Sequence, residues 1–252
     1  MRAGEAEPQA VAGRRPEQLV NALSAQALAE EKTGVAISFA GWVDRDGRGI
    51  SAGPNLGWGK VAFADLFQAN GLACHIENDL DARAWGEWLS LSPNQQAQGD
   101  LMVINAGSGF ALGLVVAGRL RRGVHRRAGE VGHWRLGGEA LCGCGARGCA
   151  ESVLGGANQE QSDLDKPAIR QRWLAVAVAT LAPVITALDP ARIIATGGIF
   201  DHRKQLVSDL EKALVDALPQ AWWSDLCLQA STAGESLARV GVVDLAQRQQ
   251  KG

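Results

Sequence analysis

Neither sign of charge dominates this chain: 25 Lys and Arg stand against 27 Asp and Glu, a formal net charge of −2 with a pI near 6.1. That balance gives no general attraction to nucleic acid or to an anionic membrane. The start, Met-Arg-Ala-Gly-Glu-Ala-Glu, lacks the apolar core of a secretory signal. The longest apolar run, Leu174–Leu188, is too short for a bilayer and is interrupted by Thr180 and Pro183. Cysteine is scarce at five residues, three of them crowded together, so thiols reserved for a metal place the chain in a reducing cytoplasm. Cys74 and Cys227 are isolated and read as small buried hydrophobes. What is plentiful is glycine, at 31 residues, beside 46% hydrophobic residues. This composition suits a compact α/β protein with many tight turns, built as one large domain or two lobes.

The chain is organised around residues 129–151. Cys142, Cys144 and Cys149 lie within eight residues of one another, and His133 lies nine residues before the first. Three soft thiolates and one imidazole form a four-coordinate set suited to structural zinc, with no position left open for water. Gly143, Gly145 and Gly148 let so short a loop aim three sulfurs at one point. A closed site does no chemistry itself, so its work is architectural. Glu130 and Glu151 flank it, and a metal-bound His133 keeps a second ring nitrogen for an outer partner. Fixed polar groups converging in this way suit a polyhydroxylated ligand. The same two glutamates could equally face solvent or serve the metal's outer shell.

Along the chain, Pro16 opens a helix at its first position, and Gly34–Gly41 reads as a buried strand. Asp44–Gly47 is a turn, Gly53–Trp58 a loop, Ala62–Asn70 a short helix and Leu72–Glu77 a second strand. Asn78 and Asp79 then lead into a helix, so an acidic residue stands at the carboxyl end of a strand, where open α/β sheets hold their chemistry. Asp79 is either that helix's N-cap or a base that takes a proton from an attacking hydroxyl. Residues 94–99 form a polar break. Leu101–Asn105 and Phe110–Val116 are strands joined by Ala106-Gly107-Ser108-Gly109, which is either a plain hairpin turn or a cradle for phosphate oxygens. Arg119–Arg127 carries five arginines and reads as a solvated loop. A helix over Pro167–Leu188, a strand over Ala191–Thr196 and the pair Gly197-Gly198 follow. A helix over His202–Leu218, a strand over Leu226–Ala230 and a helix over Glu235–Gln249 close the chain. Trp222 and Trp223 are expected at a core edge, and Trp42, Trp58 and Trp134 in the core rather than stacked on a ligand.

The run Gly129-Glu130-Val131-Gly132-His133, with Cys142-Gly-Cys144-Gly-Ala-Arg-Gly-Cys149-Ala-Glu151, closely resembles the signature of the ROK family of bacterial sugar kinases and sugar-responsive repressors. Glu77-Asn78-Asp79 resembles that family's catalytic motif. The resemblance implies a two-lobed actin-like (ribonuclease H-like) α/β fold, with a small lobe over residues 1–83, completed by residues 236–252, and a large lobe over 84–235. It implies ATP-dependent phosphorylation of a hexose or N-acetylhexosamine. Asp79 would be the base, with Gly41, Asn55, Asn78, Glu130, His133 and Glu151 at the sugar. Gly107, Ser108, Gly109, Gly197 and Gly198 would approach the nucleotide. Zinc would sit on His133, Cys142, Cys144 and Cys149, and Mg²⁺ would accompany ATP in a cytoplasmic homodimer.

This sequence departs from the family pattern in three places. Thr196 stands where a first glycine is usual, the Gly107–Leu112 turn is poor in Gly and Thr, and no phosphate-gripping hairpin with Asp, paired Gly and Thr precedes Pro16. The resemblance therefore carries an alternative, a non-catalytic sugar-binding protein.

Overall fold

The computed structural model describes residues 15–53, 56–156, 164–219, 227–232 and 236–249. In chain order the elements begin with α1 (Pro16–Ala29), β1 (Gly34–Phe39), β2 (Trp42–Val43), β3 (Ile50–Ala52), α2 (Phe63–Gln68) and β4 (Ala73–Asn78). There follow α3 (Asp79–Ser90), α4 (Pro93–Ala97), β5 (Leu101–Ala106), β6 (Phe110–Val116) and β7 (Arg119–Leu120). The remainder are α5 (Glu151–Leu154), α6 (Pro167–Leu188), β8 (Arg192–Thr196), α7 (Gly198–His202), α8 (Lys204–Ala217), β9 (Leu228–Ala230) and α9 (Ser236–Gln249). The chain divides into two compact units, Met1–Gly86 with Gly123–Arg126 and Glu235–Gly252, and Glu87–Arg122 with Arg127–Gly234.

In the first unit, β1 and β4 pair in parallel from Gly34 against Ala73 to Phe39 against Asn78. Phe39, Val43, Ile50, Phe63, Phe67 and Ile76 fill the core beneath them. Trp58 closes that core, its ring 6.1 Å from Phe39 and 6.2 Å from Phe63. β1 is not the buried strand its sequence suggests: Gly34–Ser38 are half-buried and Phe39 alone is buried. The reason is sheet membership, since among the described residues β1 hydrogen-bonds to β4 and to no other strand. Pro16 opens α1, and Gln18 Oε1 accepts the Arg15 backbone N–H at 2.9 Å, so the helix start is fixed from its third position. Helix α9 lies flush on α3: a Cβ at Gly241 would meet the Ala82 carbonyl at 1.9 Å, and one at Gly86 would meet the Leu237 carbonyl at 2.0 Å. The Trp85 indole N–H donates to Asp244 Oδ2 at 2.8 Å and fixes the register of that crossing.

The second unit holds a five-stranded sheet in the order β7-β6-β5-β8-β9. β5 pairs antiparallel with β6 and parallel with β8, which in turn pairs parallel with β9. The central strand is apolar at Leu101, Met102, Val103, Ile104 and Ala106, all buried, as a strand covered on both faces requires. Phe110, Trp173 and Phe200 pack edge-to-face over it, with ring centroids 6.4 and 5.8 Å apart. α6 is long and apolar enough to cross a membrane by length and composition. Its buried residues Trp173, Ala177, Leu181 and Ile185 belong to this unit's core, which accounts for the apolar sequence.

Further departures from the sequence reading lie in the helices. The polar break is a short helix, α4, because Ser92 caps it and Gln95 completes a capping box behind Pro93. The helix expected over His202–Leu218 is α8, and a short helix not expected there, α7, precedes it, the two separated where Arg203 leaves helical geometry at φ −136°. Trp222 and Trp223 lie outside the described residues.

Candidate functional site

Residues 134–149 form a small backbone-bonded hairpin, bridged at Arg135–Cys149 and Leu141–Arg147. The Leu136 N–H donates to the Gly148 carbonyl at 2.9 Å and the Cys142 N–H to the Ala146 carbonyl at 2.8 Å. Within this frame the ligand atoms of His133, Cys142, Cys144 and Cys149 all lie within 4.8 Å of one another. His133 Nδ1 is 3.6 Å from Cys142 Sγ, and the Cys144 and Cys149 sulfurs are 3.8 Å apart. Tetrahedral zinc, with bonds of about 2.3 Å to sulfur and about 2.0 Å to nitrogen, sets its ligands roughly 3.5 to 3.8 Å apart. The donor set and its spacing therefore fit zinc. Burial pushes the Cys142 thiol up to about 12, so a thiolate there calls for a cation's charge. The Cys144 thiol is held below its ordinary value, chiefly by the backbone hydrogen bond from Ala146.

Glu130 and His133 bracket a 3₁₀ turn, Val131–His133, that lies against β6. A Cβ at Gly132 would meet the Phe110 carbonyl at 2.0 Å, so glycine is what permits this close approach. His133 is thereby presented with both ring nitrogens in use. Nδ1 faces Cys142, and Nε2 lies 3.6 Å from Glu130 Oε2. Burial raises the Glu130 carboxyl above its ordinary range, opposed by His133 and Arg127 and reinforced by Glu151. Glu151 opens α5, and its carboxylate is held at one oxygen by the backbone of β6. Oε2 accepts the Phe110 backbone N–H at 3.0 Å, and Oε1 lies 3.5 Å from Cys142 Sγ. Glu151 thus stands on the metal side of the imidazole and Glu130 on the far side.

In the first unit, the cap of α3 is Asn78, not Asp79. Asn78 Oδ1 accepts the backbone N–H groups of Leu80 at 2.9 Å and Asp81 at 3.1 Å. Its Nδ2 donates to the Gly41 carbonyl at 3.1 Å, so the structure joins two of the expected sugar-contacting residues, Asn78 and Gly41. Asp79 is the first residue of α3 and is exposed. A helix N-terminus keeps such a carboxylate ionised. Asn55 lies outside the described residues.

The glycine turns gather at the carboxyl ends of β5 and β8. Gly107, Ser108 and Gly109 join β5 to β6, and the Gly156 N–H donates to the Gly107 carbonyl at 2.6 Å. These glycines have two different uses. At Gly109 a Cβ would meet Glu151 Oε2 at 2.8 Å, and at Gly197 (φ +98°) it would meet the Ala106 carbonyl at 2.6 Å. Those two serve the protein's own packing. A Cβ at Gly198 meets nothing within 4 Å, so its openness is available to a ligand. Gly197→Ala is therefore expected to lower Tm by roughly 4–8 °C through strain and clash. Gly198→Ala is expected to leave Tm within about 2 °C, and a larger fall would show that this position, too, is set by packing.

A family model described as the ROK family matches residues 14–168. The chain belongs to the ROK family. It is 26% identical to the glucokinase of Streptomyces coelicolor over 276 residues, covering 92% of this chain and 86% of that one. It is 30% identical to the N-acetyl-D-glucosamine kinase of Histophilus somni over 223 residues, 74% of this chain and 70% of the relative. The structure of a ROK family glucokinase from Streptomyces griseus, in complex with glucose and AMPPNP, superposes with a TM-score of 0.75. Identity there is 26%, over 92% of this chain and 88% of that one. The fold is the α/β fold of the ROK sugar kinases.

Against that ROK frame, sequence reasoning missed two contacts. One is the Phe110 N–H that holds Glu151. The other is Arg126, read as part of a solvated loop, whose Nη1 lies 2.8 Å from Oε1 of a fully buried Glu77. Glu77 itself carried the signal, because a carboxylate in a strand must find a cation when it is buried. Trp134, expected in the core, is 42% exposed on the hairpin. It follows His133 directly, so the fold of the ligand loop overrides its hydrophobicity.

Proposed function

We propose that this ROK protein transfers the γ-phosphoryl group of ATP to a hydroxyl of a hexose or N-acetylhexosamine. The observation that carries the reading is the clustering of Glu130, His133 and Glu151 around one metal-ligand set, in a chain that also sets Asp79 at a strand's carboxyl end. Its similarity to a glucokinase and to an N-acetyl-D-glucosamine kinase supports the substrate class. Zinc, when bound, supplies fixed geometry and positive charge and takes no part in the reaction. Glu130 and the Nε2 edge of His133 bind sugar hydroxyls, and Glu151 holds the loop against β6 while offering the remaining carboxylate lone pairs. Asn78, already donating to Gly41, offers its second amide N–H to the sugar, and Gly41 and Asn55 are assigned to the sugar with it. Asp79 accepts the proton of the attacking hydroxyl as the oxygen–phosphorus bond forms. Gly107, Ser108 and Gly198 admit the nucleotide and its Mg²⁺, while Gly109 and Gly197 hold their turns in shape. The cytoplasm and a homodimer belong to the same reading.

Sugar binding without turnover is the second reading. It is favoured by one contrast: the sugar-side residues match the family pattern, whereas the nucleotide side departs from it at Thr196 and in the Gly107–Leu112 turn. Formation of ADP from ATP and Mg²⁺, assayed against a panel of hexoses and acetamido sugars, separates the two. The kinase reading predicts one sugar, or a small group of epimers, raising ADP formation at least about 10³-fold over the sugar-free rate. Sugar binding with no such rise leaves the second reading standing.

A further inference from the structure

Glu77 is the penultimate residue of β4, and its side chain is 0% exposed. A carboxylate so placed needs a counter-charge, and the chain brings one from 49 residues away. Gly123–Arg126 is a four-residue excursion that belongs to the first unit, although the residues on either side of it belong to the second. Arg126 sits there at φ +53°, a backbone geometry that glycine adopts freely and that strains an arginine. The strain is maintained for the side chain. The guanidinium pairs with Glu77 Oε1 at 2.8 Å and packs over the turn at Gly47, where a Cβ would meet Nη2 at 2.6 Å. The other carboxylate oxygen, Oε2, lies 3.8 Å from His75 Nε2, and His75 Nδ1 is 2.6 Å from Gln249 Oε1 at the end of α9. Glu77 is therefore held by Arg126 at one oxygen, with the His75 ring near the other, one residue before the cap of α3 and two before Asp79.

We infer that Arg126 is a positioning residue: by locking Glu77 it fixes the end of β4, and with it the Asn78 cap and the place of Asp79. This rests on the assignment of Asp79 as base. A role in general stability would spread over the whole unit, whereas a positioning role is local to residues 76–80 and falls on the chemical step.

Arg126→Gly tests this well, because it removes the guanidinium and relieves the strained φ together. The expected result is a Tm lowered by roughly 4–8 °C, since relief of the strained φ offsets only part of the lost counter-charge, with kcat lowered at least about tenfold and by a larger factor than sugar affinity. Backbone amide exchange at Ile76–Leu80 should quicken about tenfold or more, with the rest of the unit unchanged. Glu77→Gln, which keeps an oxygen for the guanidinium, should lose less than a third as much as Arg126→Gly on a logarithmic scale of kcat. Unchanged exchange at 76–80 overturns the inference whether or not the chain turns over, and so does faster exchange throughout the unit. Normal kcat in Arg126→Gly beside an inactive Asp79→Asn overturns it alone. Normal kcat in Asp79→Asn overturns the assignment of the base instead.

Discussion

Asp79→Asn is expected to lower kcat by about 10³-fold, the middle of the range for a positioned general base and roughly 4 kcal/mol of barrier. Sugar affinity should stay within about threefold of the parent, because the amide preserves shape and hydrogen-bonding capacity and loses only basicity. Stability should barely change. Asn78, not Asp79, satisfies the first N–H groups of α3, and Asp79 is exposed. The favourable charge at the helix N-terminus that the substitution removes is worth about 0.3–1 kcal/mol. The decisive comparison is kcat against sugar Kd measured by calorimetry on the same preparation. A variant that turns over at the parent rate removes Asp79 from the reaction. A variant that loses sugar binding in step with kcat makes Asp79 a ligand rather than a base.

Cys144→Ser is expected to have the larger effect on binding. Serine stays protonated near neutral pH and is a poor partner for zinc, so metal content should fall from about one ion per chain to a small fraction of that. Cys144 is the right position for the test because it is half-buried, whereas Cys142 and Cys149 are buried and their loss would also disturb packing. The hairpin's backbone bonds, such as Leu136 to Gly148 and Cys142 to Ala146, survive the change. The fold of the unit should therefore persist while the loop loosens. Glu130 lies 3.6 Å from the Nε2 of a ligand histidine, and Glu151 Oε1 lies 3.5 Å from the sulfur of a ligand cysteine. Without the ion that histidine is free to turn, and sugar affinity should fall about tenfold to a hundredfold, the scale on which outer-shell losses act. Zinc measured by atomic absorption and sugar Kd by calorimetry check the two halves separately.

Much of this was legible because the decisive signals are local. Three cysteines and a histidine within seventeen residues announce a metal set with no knowledge of the fold. The strands and helices announce themselves by period, and β5, apolar almost throughout, reads as a central strand because it is one. What was not legible depends on distant partners or on a single residue of phase. Asn78 and Asp79 can both cap a helix, and which one does so depends on a boundary that sequence places only to within a residue or two. Arg126 and Glu77 are 49 residues apart, so nothing near either residue identifies the other. β1 has a buried strand's sequence, and its half-burial follows from how many neighbours it has, a property of the sheet rather than of the segment. Gly197 and Gly198 look alike in sequence, and only the carbonyl of Ala106 beside the first tells them apart.

The central claim is that a bound metal makes the sugar site by fixing His133 between Glu130 and Glu151. Calorimetric titration of the accepted sugar into one preparation, as isolated, after chelation and after zinc is returned, tests it most directly. The account predicts that chelation weakens binding at least about tenfold and that zinc restores it. Equal sugar affinity in the stripped and zinc-loaded protein would contradict it.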